Sequence, residues 1–249
     1  MFSYTNILFL VSILPPAYII YQILHQDRIE KEPPKLILRC FLAGALTGPF
    51  ALIFELVGYR LLCFLFDISA VEEQPGLFIV FLQNFLVIAL VEEGLKYIAL
   101  KHSTWNNKSF DYRFDGMVYA VVVSMGFAAL ENIGYVFQFG LINGLIRAVT
   151  SIPGHAVFGV FMGYFYALCK WAEYNERKKL FSYRFLSLFL PVILHGCYDF
   201  LLSTGSLLLE VVFFLYIIIL DAVAFRTVKN FSLEDGPIDP AKNVNEFIY

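Results

Sequence analysis

Seven apolar stretches run along this chain, at roughly 6–24, 36–58, 77–100, 115–138, 152–171, 185–204 and 207–226. A helix needs about 20 apolar residues to cross the hydrocarbon core of a bilayer, and each stretch is close to that length. Only 16% of the 249 residues are charged and 59% are hydrophobic, whereas soluble domains carry about a quarter charged residues. The chain therefore reads as all-α. It is expected to form a polytopic transmembrane helical bundle of about seven spans, one domain over residues 1–230 with a polar cytosolic tail at 231–249. The first stretch lacks a basic flank and a small-residue cleavage signature. It reads as a retained helix, bent at Pro15-Pro16, and not as a signal peptide. Residues 139–151 are too short and too mixed to span, and read as a partly helical outer loop or a re-entrant piece leading to Pro153.

Basic residues alternate between loops. Arg28, Lys31, Lys35 and Arg39 follow the first span, Lys101, Lys108 and Arg113 the third, and Lys170, Arg177, Lys178, Lys179 and Arg184 the fifth; Arg226, Lys229 and Lys242 follow the last. The intervening loops hold Arg60 with the acidic Asp67, Glu72 and Glu73, then Arg147 alone, then no basic residue. Positive loops stay in the cytoplasm, so the N-terminus is expected outside and the C-terminus in the cytosol, in a multi-pass protein of the cell membrane. No basic patch or zinc-finger spacing points to nucleic acid. Cys40, Cys63, Cys169 and Cys197 form no CxxC pair and read as small packing residues.

The polar residues inside these spans carry the functional argument. Glu92 and Glu93 lie mid-span in Val91-Glu92-Glu93-Gly94-Leu95-Lys96. A charge at the centre of a helix in hydrocarbon costs about 2.5–3.5 kcal/mol on insertion scales. Lys96 is one turn from both glutamates, so it can hold one ionised and leave the other to take a proton from water. Glu131 and Asn132 follow the small-residue segment Gly126-Phe127-Ala128-Ala129, His155 opens the next span, and His195 and Asp199 stand one turn apart on one face. Arg147 shares a face with Ser151 and His155 if the intervening segment is helical. Asp115-Gly116 reads as an interfacial cap. Acids and imidazoles in consecutive spans must face inward, toward one another or toward water.

In this order, these residues resemble the PrsW family of intramembrane proteases, within the wider group of CAAX-processing and bacteriocin-processing membrane endopeptidases. The resemblance begins at Asp27-Arg28-Ile29-Glu30-Lys31-Glu32-Pro33. It continues through Glu92-Glu93-Gly94-Leu95-Lys96, Asp115-Gly116, Phe127, Glu131-Asn132, Arg147, Pro153 and His155, and ends at Leu194-His195-Gly196 with Asp199. It implies a buried catalytic chamber that cleaves a single-span, membrane-anchored protein at an extracytoplasmic site close to the bilayer; in bacteria the associated substrate is an anti-sigma factor. In the CAAX relatives a His stands where this chain has Glu131.

The expected chemistry is peptide hydrolysis by glutamate-activated water. Glu92 or Glu93 is the base, Glu131 and His155 shape the site, and His195, oriented by Asp199, polarises the carbonyl. Lys96, Phe127, Asn132 and Arg147 support it. The alternative scheme is a metalloprotease in which Glu131, His155 and His195 bind a divalent ion such as zinc, with Glu93 as base. A proton-coupled transporter and a non-catalytic membrane scaffold are the other classes open to such a polar set. Depth is a difficulty: Glu92 is about 12 Å and Glu131 about 24 Å from the basic end of their spans by helix rise. Unless tilt or shifted boundaries reconcile them, the residues form two sites.

The loop charges generate a direct test. Green fluorescent protein fused after Tyr249 is expected to fluoresce, and alkaline phosphatase fused there to be inactive; the reverse pattern inverts the topology.

Overall fold

The computed structural model describes residues 3–68 and 76–239; Glu72, Glu73, Lys242 and the end of the tail lie outside the described residues. Helix α1 spans Tyr4–Gln26 and α2 spans Pro34–Leu65. Helix α3 covers Leu77–Thr104, with a π-helical stretch at Gln83–Ala89. Helix α4 is Arg113–Phe139, α5 is Leu141–Val149, α6 is Ser151–Asn175, α7 is Leu180–Ser203 and α8 is Leu207–Leu233. Seven helical segments are long and apolar enough to cross a membrane, with α5 and α6 counted as one. The protein is a multi-pass helical bundle of the cell membrane. Its outer belt carries large apolar side chains such as Leu52, Phe64, Phe181, Ile218 and Phe225.

The bundle is built around α4. Every residue from Phe114 to Ala129 is buried, as expected of a helix that is apolar all round and enclosed by others. It packs against α1, α2 and α6. Small residues permit the approach. A Cβ on Gly44 of α2 would lie 2.0 Å from the Val123 carbonyl oxygen, and one on Gly126 of α4 would lie 2.0 Å from that of Phe41. Each helix thus offers a glycine to the other's backbone, and dispersion replaces the hydrophobic drive that lipid cannot supply. Helix α8 lies at the periphery, with Phe213, Ala224, Phe231 and Ser232 its buried residues.

Two expectations change in detail. The stretch 139–151 contains a separate helix, α5, entered through Gly140 at φ +85°, a left-handed turn that favours glycine. Ile142, Leu145, Ile146 and Val149 line its exposed face, while Gly144 packs against Val136 and Val11. The polar tail read from 231 onward is instead helical to Leu233 and docked through Ile238. The Asp235 carboxylate accepts from the Phe114 amide at 2.9 Å, and the Ile238 amide donates to the Asp111 carbonyl at 2.7 Å. Asp115 performs the capping role read from the sequence: its Oδ2 accepts the Tyr112 amide at 2.7 Å and the Asp111 amide at 3.1 Å. At this same end, burial pushes the Glu32 carboxyl up to about 7 and the Asp27 carboxyl up to about 6.

The α2–α4 crossing supplies a prediction. Gly44→Leu or Gly126→Leu is expected to lower stability by at least about 1–3 kcal/mol, the usual range for overpacking. Gly134→Leu, where a Cβ meets nothing within 4 Å, should leave it nearly unchanged. Thermal unfolding in detergent reads the difference.

Candidate active site

The chamber starts with a lysine. Lys96 is fully buried, and an ammonium in an apolar interior must find partners. Its Nζ donates to Glu92 Oε2 at 3.1 Å and Glu93 Oε1 at 2.8 Å, both on its own helix α3, and approaches His155 Nδ1 on α6 at 3.2 Å. It also stands 4.0 Å from the centroid of the Phe127 ring on α4, a cation–π contact. The π-helical stretch immediately before Leu90 changes the rotation of α3 ahead of the Glu92-Glu93 pair. Such stretches often occur at functional sites. Within it, Asn84 donates to the Val80 carbonyl at 2.8 Å and accepts from Ser203 Oγ of α7 at 3.3 Å.

The two histidines are held alike. His155 Nε2 lies 3.0 Å from Glu131 Oε2, and His195 Nε2 lies 3.1 Å from Asp199 Oδ2. Both rings turn Nδ1 into the chamber: that of His195 faces Glu93 Oε1 at 2.9 Å. Lys96 has only donors, so His155 Nδ1 accepts and its Nε2–H donates to Glu131. Each nitrogen of His195 faces a carboxylate, an arrangement in which both donate. Phe158 stacks on His195 with centroids 4.8 Å apart, and Phe127 meets His155 edge-on at 5.5 Å. On the neighbouring position, Gly196 lets α7 close onto α3: a Cβ there would lie 2.4 Å from the Phe85 ring.

Glu131 links the chamber to the far end of the bundle. Its Oε2 also accepts from Arg147 Nη2 at 2.7 Å, and Arg147 Nε donates to Asn132 Oδ1 at 3.0 Å. Arg147 stacks over Tyr135 at 4.0 Å. The carboxylates of Glu131 and Asp199 are each 23% exposed, while Glu93 and Lys96 are sealed. Glu131 and Asp199 therefore form the accessible edge.

All ten residues singled out in the sequence thus belong to one connected constellation. The depth difficulty resolves in two ways. Helix α3 continues to Thr104, so Glu92 stands ~18 Å from its basic end and Glu131 ~27 Å from that of α4. Side chains also lean toward their own helix N-terminus. The antiparallel α3 and α4 therefore aim Lys96 and Glu131 at each other, with His155 between. Glu55 was missed. It sits on α2, within electrostatic reach of Glu131, His195, Lys96 and Asp199. The signal was present, since it is an acid within an apolar span, near the end away from its basic flank. The π-helical stretch left no such mark.

One oxygen or nitrogen from each of Glu92, Glu93, His155 and His195 falls within 4.8 Å of the others. Glu93 Oε2 is buried without a hydrogen-bond partner among the described residues. Two imidazoles and two carboxylates suit a zinc-class ion, and each imidazole already rests its outer nitrogen on a carboxylate, the usual support of a metal-bound histidine. Glu131, by contrast, reaches His155 and Arg147, and so stands behind the donor set. The residues fit a divalent ion.

Comparison with known proteins agrees with this geometry. Residues 32–224 match the model of a family described as PrsW family intramembrane metalloprotease. The chain belongs to the PrsW family. It is 33% identical over 217 residues to Protease PrsW of Clostridioides difficile, covering 86% of each chain. It is 34% identical to Protease PrsW of Oceanobacillus iheyensis, covering 78% of this chain and 82% of that one. The protein of the same name from Bacillus subtilis is 33% identical over 73% of this chain and 76% of its own. No solved structure matches. This PrsW-family chain is a membrane-embedded peptide hydrolase, and its fully buried Lys96–Glu93 pair lies within the matched residues.

Removing Lys96 takes from Glu92 its one described hydrogen bond and leaves Glu93 with His195 alone. Lys96→Met is expected to destabilise the bundle by about 3–5 kcal/mol. Lys179→Met, which breaks the exposed pair with Glu176, should change little. Thermal unfolding of the purified variants checks both.

Proposed function

We propose that this PrsW-family protease cleaves a single-span, membrane-anchored protein on the extracytoplasmic side of the bilayer, with an anti-sigma factor as the substrate class. The observation that carries the chemistry is the pair of inward-facing Nδ1 atoms, each backed by a carboxylate, beside the Glu92-Glu93 pair. The side assignment rests on the alternation of basic loops and on the position of the exposed Glu131 and Asp199 at the end away from them.

In this reading His155, His195 and Glu93 would hold a zinc-class ion. When bound, the ion supplies Lewis-acid polarisation of the scissile carbonyl. Glu92 is the less confined glutamate, held by Lys96 alone at 3.1 Å among its described hydrogen bonds. It takes a proton from the attacking water as the C–O bond forms, and passes it to the amine nitrogen as the C–N bond breaks. Lys96 stabilises the negative charge that develops on the carbonyl oxygen. Glu131 and Asp199 hold the Nε2 protons of the histidines, so that Nδ1 of His155 offers its lone pair and Nδ1 of His195 would do so on giving up its proton. Arg147 and Asn132 fix Glu131 from behind.

A metal-free scheme has one observation of its own. The Lys96 ammonium already sits among Glu92, Glu93 and His155 Nδ1 and satisfies them as a cation. In that scheme His195 donates to the carbonyl oxygen instead. Metal analysis separates the two. Purified protein is expected to carry one zinc-class ion per chain, to lose cleavage of a co-reconstituted substrate on chelation, and to regain it with Zn²⁺. Full cleavage by metal-free protein would establish the Lys96 scheme.

Glu92→Gln is expected to lower the cleavage rate by about 10²–10⁴-fold while the protein stays folded, the usual contribution of a general base. If Glu92→Gln and Glu93→Gln both cleave at the wild-type rate, neither glutamate does the chemistry.

A further inference from the structure

A second group of buried carboxylates lies far from the chamber, at the end of the bundle that carries the basic loops. Asp27 follows α1, Glu32 precedes α2, and Asp115 opens the first turn of α4. One oxygen from each falls within 4.8 Å of the others. They are 2%, 6% and 1% exposed. Among the described residues no N–H or hydroxyl donor reaches Asp27 Oδ2, Glu32 Oε1, Asp115 Oδ1 or the nearby Asp235 Oδ2, and the Glu32 and Asp115 carboxyls lie within hydrogen-bond reach of each other. The other oxygens of Glu32, Asp115 and Asp235 have partners. Glu32 Oε2 accepts from Tyr119 Oη, Asp115 Oδ2 caps α4, and Asp235 Oδ1 accepts the Phe114 and Gly236 amides.

Buried carboxylates are normally paired with a cation. The basic side chains alongside are directed elsewhere. Lys31 Nζ donates to the Leu24 and Asp27 carbonyls, and Arg113 Nη2 to the Glu234 carbonyl. No described salt bridge reaches Asp27, Glu32, Asp115 or Asp235. The free oxygens come from chain segments far apart in sequence, so their convergence is a product of the fold. They leave one buried, all-oxygen space that no described salt bridge enters.

The geometry points to a binding site for a hard divalent cation, of the Mg²⁺ or Ca²⁺ class, formed by Asp27, Glu32 and Asp115 with Asp235 at its edge. Oxygen-only donors select such ions, whereas the chamber, with two imidazoles, suits zinc. An ion there joins the end of α1, the start of α2, the start of α4 and the segment after α8. It is a clamp on the basic face of the bundle, separate from the chemistry and independent of the function proposed for the chamber.

Full-length protein in detergent is stripped of metal, loaded with Zn²⁺ to fill the chamber, and titrated with Mn²⁺ followed by electron paramagnetic resonance. One Mn²⁺ per chain is expected to bind more tightly than about 1 mM, to be displaced by Mg²⁺ or Ca²⁺, and to raise the unfolding temperature. Asp27→Asn combined with Glu32→Gln should weaken that binding at least tenfold and abolish the temperature shift. No saturable Mn²⁺ binding by the wild-type protein overturns the site and leaves the carboxylates sharing protons. Undiminished binding by a folded variant overturns it too. If the double variant does not fold, Glu32→Gln alone and the wild-type titration decide.

Discussion

The arrangement of the protein's centre follows from one buried ammonium. Lys96 has no access to solvent, and an unpaired charge in such a place costs several kcal/mol. Its partners on α3 lie at three and four residues' distance, but they do not exhaust its donors. The third goes to His155 on α6, and that bond brings in Glu131 and, through it, Arg147 and Asn132. Glu93 reaches across to His195 on α7, which rests on Asp199. Five helices are thereby tied by one network in which most hydrogen-bonding groups have a partner. The notable exception among the described residues is Glu93 Oε2.

Such a network needs a rigid frame, and lipid offers no hydrophobic force to build one. The frame is supplied by close backbone contact. Gly44 and Gly126 let α2 and α4 touch, and Gly196 lets α7 close on Phe85 of α3. These contacts fix the rotation of each helix about its axis. Rotation decides whether a carboxylate faces its partner or the lipid. The functional residues and the packing glycines are therefore neighbours in sequence: Gly126 precedes Phe127, and Gly196 follows His195.

Much of the site was legible because hydrocarbon makes polar residues conspicuous. Glu92, Glu93, Glu131, His155, His195 and Asp199 each interrupt an apolar stretch, and their one-turn spacings announced the Lys96 and Asp199 pairings. Glu55 carried the same signal and was missed. The π-helical turn at Gln83–Ala89 had no sequence mark, since its residues 85–89 are as apolar as those of the helix around it. The helical tail through Leu233 and the docking of Ile238 were hidden for a similar reason. Polar composition suggests a free end, but Asp235 finds the unsatisfied amides at the start of α4.

The sequence by itself determined the solvent, the number of crossings and the set of polar groups that had to hide from lipid, because each follows from the length and hydropathy of local segments. Tertiary structure alone decided which group meets which. Glu131 serves His155 and stands behind the donor set, while Glu92 joins it. Partnership across helices depends on their depth, tilt and rotation, and these are set by packing between segments that lie tens of residues apart.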